Sequence, residues 1–177
     1  LGIPMEIWRS HLEYQKGVFA EAIHTALVRR DDIARILASV SGRQVDSDWQ
    51  PIQILDEQTR SLRTATFLSY DTTARLVRYR AHDGAEMSAD PRLGQVKLDW
   101  RVDWPARWHI LGVVVEGFGK EHATKGGSYD TGAAIQREIF GTEPPIPVPF
   151  NPINLKGDNQ KMSSSLGNLV SISDALE

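Results

Sequence analysis

The stretch "DWPARWHILGVVVEGFGKEHATKGGSYDTGAAIQREIFG" (Asp103–Gly141) decides the fold. In "DWPARWHILG", Asp103 stands where an N-cap belongs, Pro105 falls inside the first helical turn and Gly112 stops the helix. "VVVEGFG" (Val113–Gly119) reads as a buried strand ending in glycines. "SYDTGAAIQREIFG" then gives a helix with Ser128 or Asp130 at its start and Gly141 at its end. The following "PIPVPFNPINL" (Pro145–Leu155) is extended, and its prolines suit an edge or a strand end. Strand, helix and strand in alternation predict an α/β fold with a parallel sheet. Ligands of such sheets lie at the carboxyl ends of the strands. Two polar segments, "GFGKEHATKGGSYD" (Gly117–Asp130) and "NLKGDNQKMSSSLGN" (Asn154–Asn168), each follow a strand and are expected on one rim of the sheet.

Toward the N-terminus the pattern changes twice. "LGIPMEIW" (Leu1–Trp8) reads as a short strand or extended segment. From Tyr14 to Leu37 the apolar residues recur at helical spacing, with a polar break at Arg30, so one long helix or two adjoining ones are expected. "SGRQVDSDWQP" (Ser41–Pro51) is a turn-rich connection. Between Ile52 and Lys97, "TATFLSYD", "ARLVRYRA" and "GQVKLDW" predict three short strands of an antiparallel meander, with "HDGAEMSADPRLG" as a separator. So small a sheet suits an insertion on something larger. The expected divisions are a helical segment at 1–50, a β-rich connective insertion at 51–97, and an α/β part at 98–177. "SISDALE" (Ser171–Glu177) opens a further helix, with Asp174 and Glu177 at capping-box spacing, which suggests a fragment of a longer protein.

Composition removes several functions. The chain has 177 residues, is 41% hydrophobic and 24% charged, and carries a net charge of −3, so no global positive field draws nucleic acid to it. A polyanion must be met by local patches, such as that of Lys156 and Lys161. In "VRRDD" (Val28–Asp32) the aspartates offset the arginines, and the run reads as a solvated helix face. Without cysteine there is no disulfide, thiol nucleophile or Cys-bound zinc. No run is long and apolar enough to span a membrane, and the default location is the cytoplasm.

Each polar segment carries two readings. In "GKEHATKGGSYDTG", Gly126 and Gly127 let backbone approach a ligand, a helix begins near Ser128, and Lys120 and His122 add donors at the strand end. The alternative is a glycine-rich turn with a surface histidine. No G-x-x-x-x-G-K-[ST] is present. In the second segment Lys161 supplies a compact charge, Ser163, Ser164 and Ser165 supply hydroxyls and amides, Met162 packs inward, and Gly157 and Gly167 allow movement. That suits clamping a polyphosphate on which charge builds up. A serine-rich linker is the other reading.

"KMSSS" (Lys161–Ser165), followed by Gly167-Asn168, resembles the "KMSKS" signature of class I aminoacyl-tRNA synthetases. "DWRVDWPARW" (Asp99–Trp108), "GFGKEHATKGGSYDTG" and "NLKGDNQKMSSSLGN", in this order and spacing, resemble the class I lysyl-tRNA synthetases of archaeal type. "GIPMEIWRSHLEYQKGVFAEAIHTALVRRDDI" is similar to the same family's segment after the first half of its Rossmann fold.

The resemblance implies the second half of a Rossmann catalytic domain with a small, mostly β connective insertion. It implies lysyl-adenylate formation from lysine and ATP with Mg2+, then transfer to tRNA(Lys). Lys161, Ser163 and Ser165 would stabilise the pyrophosphate side of ATP, with Met162 and Ser164 in the same ATP-binding loop. Gly119 and His122 would face ATP ribose and the amino acid. Trp100 and Trp104 would wall the lysine pocket, since an aromatic face suits a cation, while core packing is the other reading of Trp104. Phe150 would take a place often filled by tyrosine.

There are four departures from the family pattern. No H-x-G-H or H-x-G-N signature is present, nothing after the loop reads an anticodon, and Glu121-His122 stands where Asp-His is usual. The insertion also lacks the paired cysteines of many relatives, so it is expected to fold without zinc, with His82 and Asp83 as turn residues. The isolated chain is therefore expected to have little activity. A synthetase for another amino acid such as glutamate, and a synthetase-like binding or regulatory module, are the alternatives.

Overall fold

The computed structural model describes residues 4, 6–151 and 162. The helical run from Tyr14 to Leu37 resolves into α1 (Ser10–Gln15), α2 (Ala20–Val28) and α3 (Arg30–Ser41). Gly17, at φ +75°, turns the chain between α1 and α2. The α2–α3 junction falls where Arg30 interrupts the apolar period. Arg30 is more than a solvated charge: Nε donates to Trp49 O at 2.6 Å and Nη2 to Ser47 O, pinning the 42–51 connection to the helix.

The β-rich region differs from the expected meander. Strand β1 (Ile52–Ile54) pairs antiparallel with β5 (Val96–Leu98). A separate antiparallel sheet is built from β2 (Thr66–Asp71), β3 (Leu76–Arg80) and β4 (Glu86–Ala89). The segment "GQVKLDW" is thus not the third strand of that sheet. The third strand lies inside the stretch read as a separator. The signal for it was the Asp83-Gly84 pair: Gly84 takes φ +90°, Asp83 Oδ1 accepts from Ala85 N–H, and the turn folds β4 back on β3.

Asp56 knits this region together. Its carboxylate accepts from Gln58 N–H at 3.0 Å, His82 N–H at 3.0 Å and Thr64 Oγ1–H at 2.9 Å. Burial pushes its pKa up, but these donors outweigh burial and hold it below the ordinary carboxylate range. A carboxyl depressed in the folded state stabilises fully above its unfolded pKa, about 3.9, and loses that contribution as pH falls through the folded value. Asp56→Asn is therefore expected to lower stability at neutral pH and to flatten the loss below about pH 4, read by urea unfolding across a pH series.

The last third holds α4 (Trp100–Leu111), β6 (Val115–Gly119), α5 (Ser128–Glu138) and β7 (Ile146–Phe150). Helix α4 starts earlier than the Asp103 cap predicts, with Asp99 at the N-cap. Asp103 is buried within the helix, where Oδ1 accepts from Tyr14 Oη–H at 2.6 Å and Oδ2 pairs with Arg107 at 2.9 Å. A buried carboxylate needs such partners, so the position is chosen by tertiary pairing rather than by capping. Burial, then the Asp103 charge, push the Tyr14 hydroxyl pKa well up. Asp130, by contrast, makes a local bond from the first turn of α5, with Oδ2 accepting from Gly126 N–H, one residue ahead of the Gly127 N-cap, at 2.8 Å.

Strands β6 and β7 pair in parallel, Val115 opposite Ile146 and Gly119 opposite Phe150. They form the parallel pair among the described residues; the other two sheets are antiparallel. The observed class is mixed α/β. Ile146 N–H donates to Val114 O at 2.8 Å, so the alternating Pro147 and Pro149 turn their missing donors to the outer edge of β7. Strand β6 is not buried throughout: Phe118 is buried, but Val115 is 55% exposed. The face of β6 that bears Glu116 and Phe118 lies under α4 and α5, and the face of the pair bearing Val115, Ile146, Val148 and Phe150 is bare among the described residues.

One hydrophobic core joins these parts. Tyr14, Phe19, Ile33 and Leu37 from the helices, Val77 and Tyr79 from β3, Leu98 from β5, Val102 from α4 and Ile135 from α5 belong to it. Each such side chain stabilises the fold by roughly 1.5–3 kcal/mol on burial. The segment "SISDALE", expected to open a helix, lies outside the described residues.

Candidate active site

Helix α4 carries tryptophan at i, i+4 and i+8, which sets Trp100, Trp104 and Trp108 along one face. That face meets β6. Trp104 lies edge-on to Phe118, with ring centroids 5.4 Å apart, and 4.9 Å from Trp108. Trp108 is 1% exposed and packs behind Trp104, held also against Tyr129 of α5. The ring of His122, just past β6, stands edge-on to Trp100 at 5.9 Å and to Trp104 at 5.8 Å.

These groups enclose a cleft of about 290 Å³ lined by Trp100, Trp104, Arg107, Glu116, Phe118, Gly119 and His122. It opens at the carboxyl end of a parallel strand. Its acidic group is Glu116, whose Oε1 accepts from Trp104 Nε1–H at 3.1 Å and Oε2 from Trp108 Nε1–H at 3.0 Å. Arg107 is already committed to Asp103. The cleft therefore offers aromatic walls, one carboxylate and a histidine, a set suited to a small cationic ligand.

Three of the four residues expected around an amino acid, Trp100, Trp104 and His122, come together here with Gly119. Phe150 does not line the cleft. It sits beside Gly119 at the strand end, on the bare face of the sheet, with its ring near Gly117. The glycines have local reasons. A Cβ on Gly119 would meet the Glu121 carboxylate at 2.5 Å, so that side chain folds back over the strand end. Gly126 takes φ +72°, and a Cβ there would meet Val40 O at 2.6 Å. Its requirement is close packing against α3, not only approach to a ligand. Met162 is half-buried, and Lys161, Ser163, Ser164 and Ser165 lie outside the described residues.

Residues 1–177, the whole chain, match the family model described as tRNA synthetases class I (K). The chain belongs to this synthetase family. It is similar to the lysine–tRNA ligase of Methanosarcina barkeri (strain Fusaro), 50% identical over 177 residues, covering 100% of this chain and 33% of that protein. It is similar also to those of Archaeoglobus fulgidus (43% over 180 residues, 100% and 35%) and Methanocaldococcus jannaschii (41% over 177 residues, 98% and 33%). The chain thus spans about a third of the length of these relatives.

For this class I synthetase chain, one residue of the cleft, Glu116, and one packed behind it, Trp108, escaped the sequence reading. Trp108 was legible as the third member of the i, i+4, i+8 stripe. Glu116 carried no local signal: a lone acid inside a valine-rich strand becomes informative only when α4 brings two indole N–H groups to it.

Proposed function

We propose that this chain forms part of a class I lysyl-tRNA synthetase and supplies the wall of its lysine site and the clamp of its ATP site. The observation that carries this reading is the aromatic cleft of Trp100, Trp104 and His122 beside Gly119, at the carboxyl end of a parallel strand, in a member of this family. The relatives' names support lysine as the amino acid and tRNA(Lys) as acceptor.

In this reading residues 98–177 are the second half of a Rossmann catalytic domain. Residues 51–97 form the connective insertion and 1–50 the helical segment beside the core. Parallel pairing of Gly119 with Phe150 supports a common rim for the segments that follow them. The insertion is expected to fold without zinc, and Asp56 ties Gln58, Thr64 and His82 together within it. The setting is the cytoplasm, and among the described residues no helix is long and apolar enough to cross a membrane.

Lysine binds with its side chain against Trp100 and Trp104. Its carboxylate attacks the α-phosphorus of ATP, forming lysyl-adenylate and releasing pyrophosphate. Lys161, with the Ser163 and Ser165 hydroxyls, neutralises the charge that builds on the leaving pyrophosphate, while Met162 and Ser164 hold the same loop on ATP. Gly119 and His122 meet the ribose and the amino acid. Mg2+ would come in on the ATP phosphates. The 3′-terminal hydroxyl of tRNA then attacks the adenylate carbonyl and AMP leaves. Placement and charge stabilisation account for the rate, and no covalent enzyme intermediate is needed.

Lys161→Ala tests the clamp in the full-length protein. Lysine-dependent ATP–pyrophosphate exchange is expected to lose about 10²–10³ in kcat, with a smaller change in the KM for lysine. Activity within about threefold of wild type would remove Lys161 from this role.

A further inference from the structure

Glu116 stands out once the cleft is described. It sits on the face of β6 that meets α4, half-buried, with each carboxylate oxygen taking one indole N–H from successive turns of the helix. Among the described residues it makes no ion pair with lysine, arginine or histidine. Arg107, the cation that shares the cleft, is turned to Asp103, which is itself fixed by Tyr14 of α1. The charge of Glu116 is therefore spent on two neutral indoles.

We infer that Glu116 is a positioning residue that, through its hydrogen bond to Trp104, sets and electronically tunes the aromatic wall of the cleft for a cationic amino-acid side chain. The inference rests on the lysine-site reading above. Two physical consequences of the geometry carry it. First, a two-oxygen clamp on Trp104 and Trp108 fixes the indole planes relative to β6. That holds Trp104 edge-on to both Phe118 and His122. Second, a carboxylate accepting an indole N–H is a charge-assisted bond, and it pushes electron density into the ring. A richer π-face binds an ammonium more strongly, whereas an uncharged chain of the same shape gains nothing from it. Remaining lone pairs on the carboxylate add a negative potential inside the cleft and disfavour an acidic side chain.

The two consequences make a prediction that a purely structural role does not share. If Glu116 only held the cleft's shape, its loss would weaken lysine and a neutral isostere alike. If it tunes the wall for charge, lysine suffers more. The test uses the full-length protein and lysine-dependent ATP–pyrophosphate exchange, with norleucine, which is lysine without its ε-amine, as competing inhibitor. Glu116→Gln keeps the size of the side chain but is neutral and offers a single acceptor. It is expected to raise the KM for lysine about fivefold or more, with the smaller effect on kcat, the fold-change that a weakened cation–π contact implies. The inhibition constant of norleucine is expected to move by less than about twofold, since no charge is lost from its contacts.

Trp104→Phe is the second variant, and it keeps the inference testable if Glu116→Gln fails to fold. Phenylalanine retains a ring but has no N–H through which the carboxylate can act, so discrimination between lysine and norleucine should fall here too. Equal shifts for both ligands in Glu116→Gln, or unchanged discrimination in Trp104→Phe, would overturn the inference while leaving the lysine-site reading intact. A wild-type protein with no lysine-dependent exchange would instead overturn that reading, and this inference with it.

Discussion

Trp108→Ala is expected to destabilise the protein by about 3–5 kcal/mol, the range for truncating a buried tryptophan. The ring is 1% exposed and touches three elements: Trp104 within α4, Glu116 on β6 through its indole N–H, and Tyr129 on α5. Gly132 of α5 lies so near that a Cβ there would meet the Trp108 ring at 2.9 Å. Helix α5 has thus come as close to the ring as a glycine allows, so the ring fills the whole space between the elements and its loss leaves a void. Urea unfolding followed by circular dichroism reads the loss. A cost below about 1 kcal/mol would mean that the α4–α5–β6 junction is not packed as described.

Gly126→Ala carries the second large effect, and two independent costs add. A left-handed backbone with a Cβ costs roughly 1–2 kcal/mol. The new methyl would also meet Val40 O at 2.6 Å, and a backbone carbonyl at the end of α3 cannot swing aside as a side chain can. Overpacking of this kind adds about 1–3 kcal/mol, for a total of about 2–5 kcal/mol. Gly42→Ala separates the two costs. Gly42 has φ +67° but no neighbour within 4 Å of its Cβ, so it is expected to lose only the conformational cost of about 1–2 kcal/mol. Equal losses at the two positions in urea unfolding would show that Gly126 does not press on α3.

Gly126 also illustrates what a sequence conveys and where it stops. The glycine pair at 126–127 was visible as a place of close approach, but the approach that the structure reveals is to Val40, a residue far away in the chain. Periodicity located α2, α3 and α5, because a 3.6-residue repeat is a local property. Alternation of strand and helix located β6 and β7 and their parallel sense. It did not locate β4, a four-residue strand whose only strong signal is the turn before it, nor the pairing of β5 with β1 across the intervening sheet. Asp103 was read as a cap because caps are local, whereas its true partners, Tyr14 and Arg107, are set by packing. The cleft shows the same division. Trp100, Trp104, His122 and Gly119 were singled out as site residues through the family resemblance, not by any local pattern. Glu116 became part of the site only through two hydrogen bonds between elements.

The central proposal is that the cleft between α4 and β6 selects a cationic amino acid for adenylation. Amino-acid-dependent ATP–pyrophosphate exchange by the full-length protein, run in parallel with lysine and glutamate, tests it most directly. The account predicts exchange that requires lysine and is not supported by glutamate at the same concentration. Equal exchange with glutamate, or none with lysine, would contradict it.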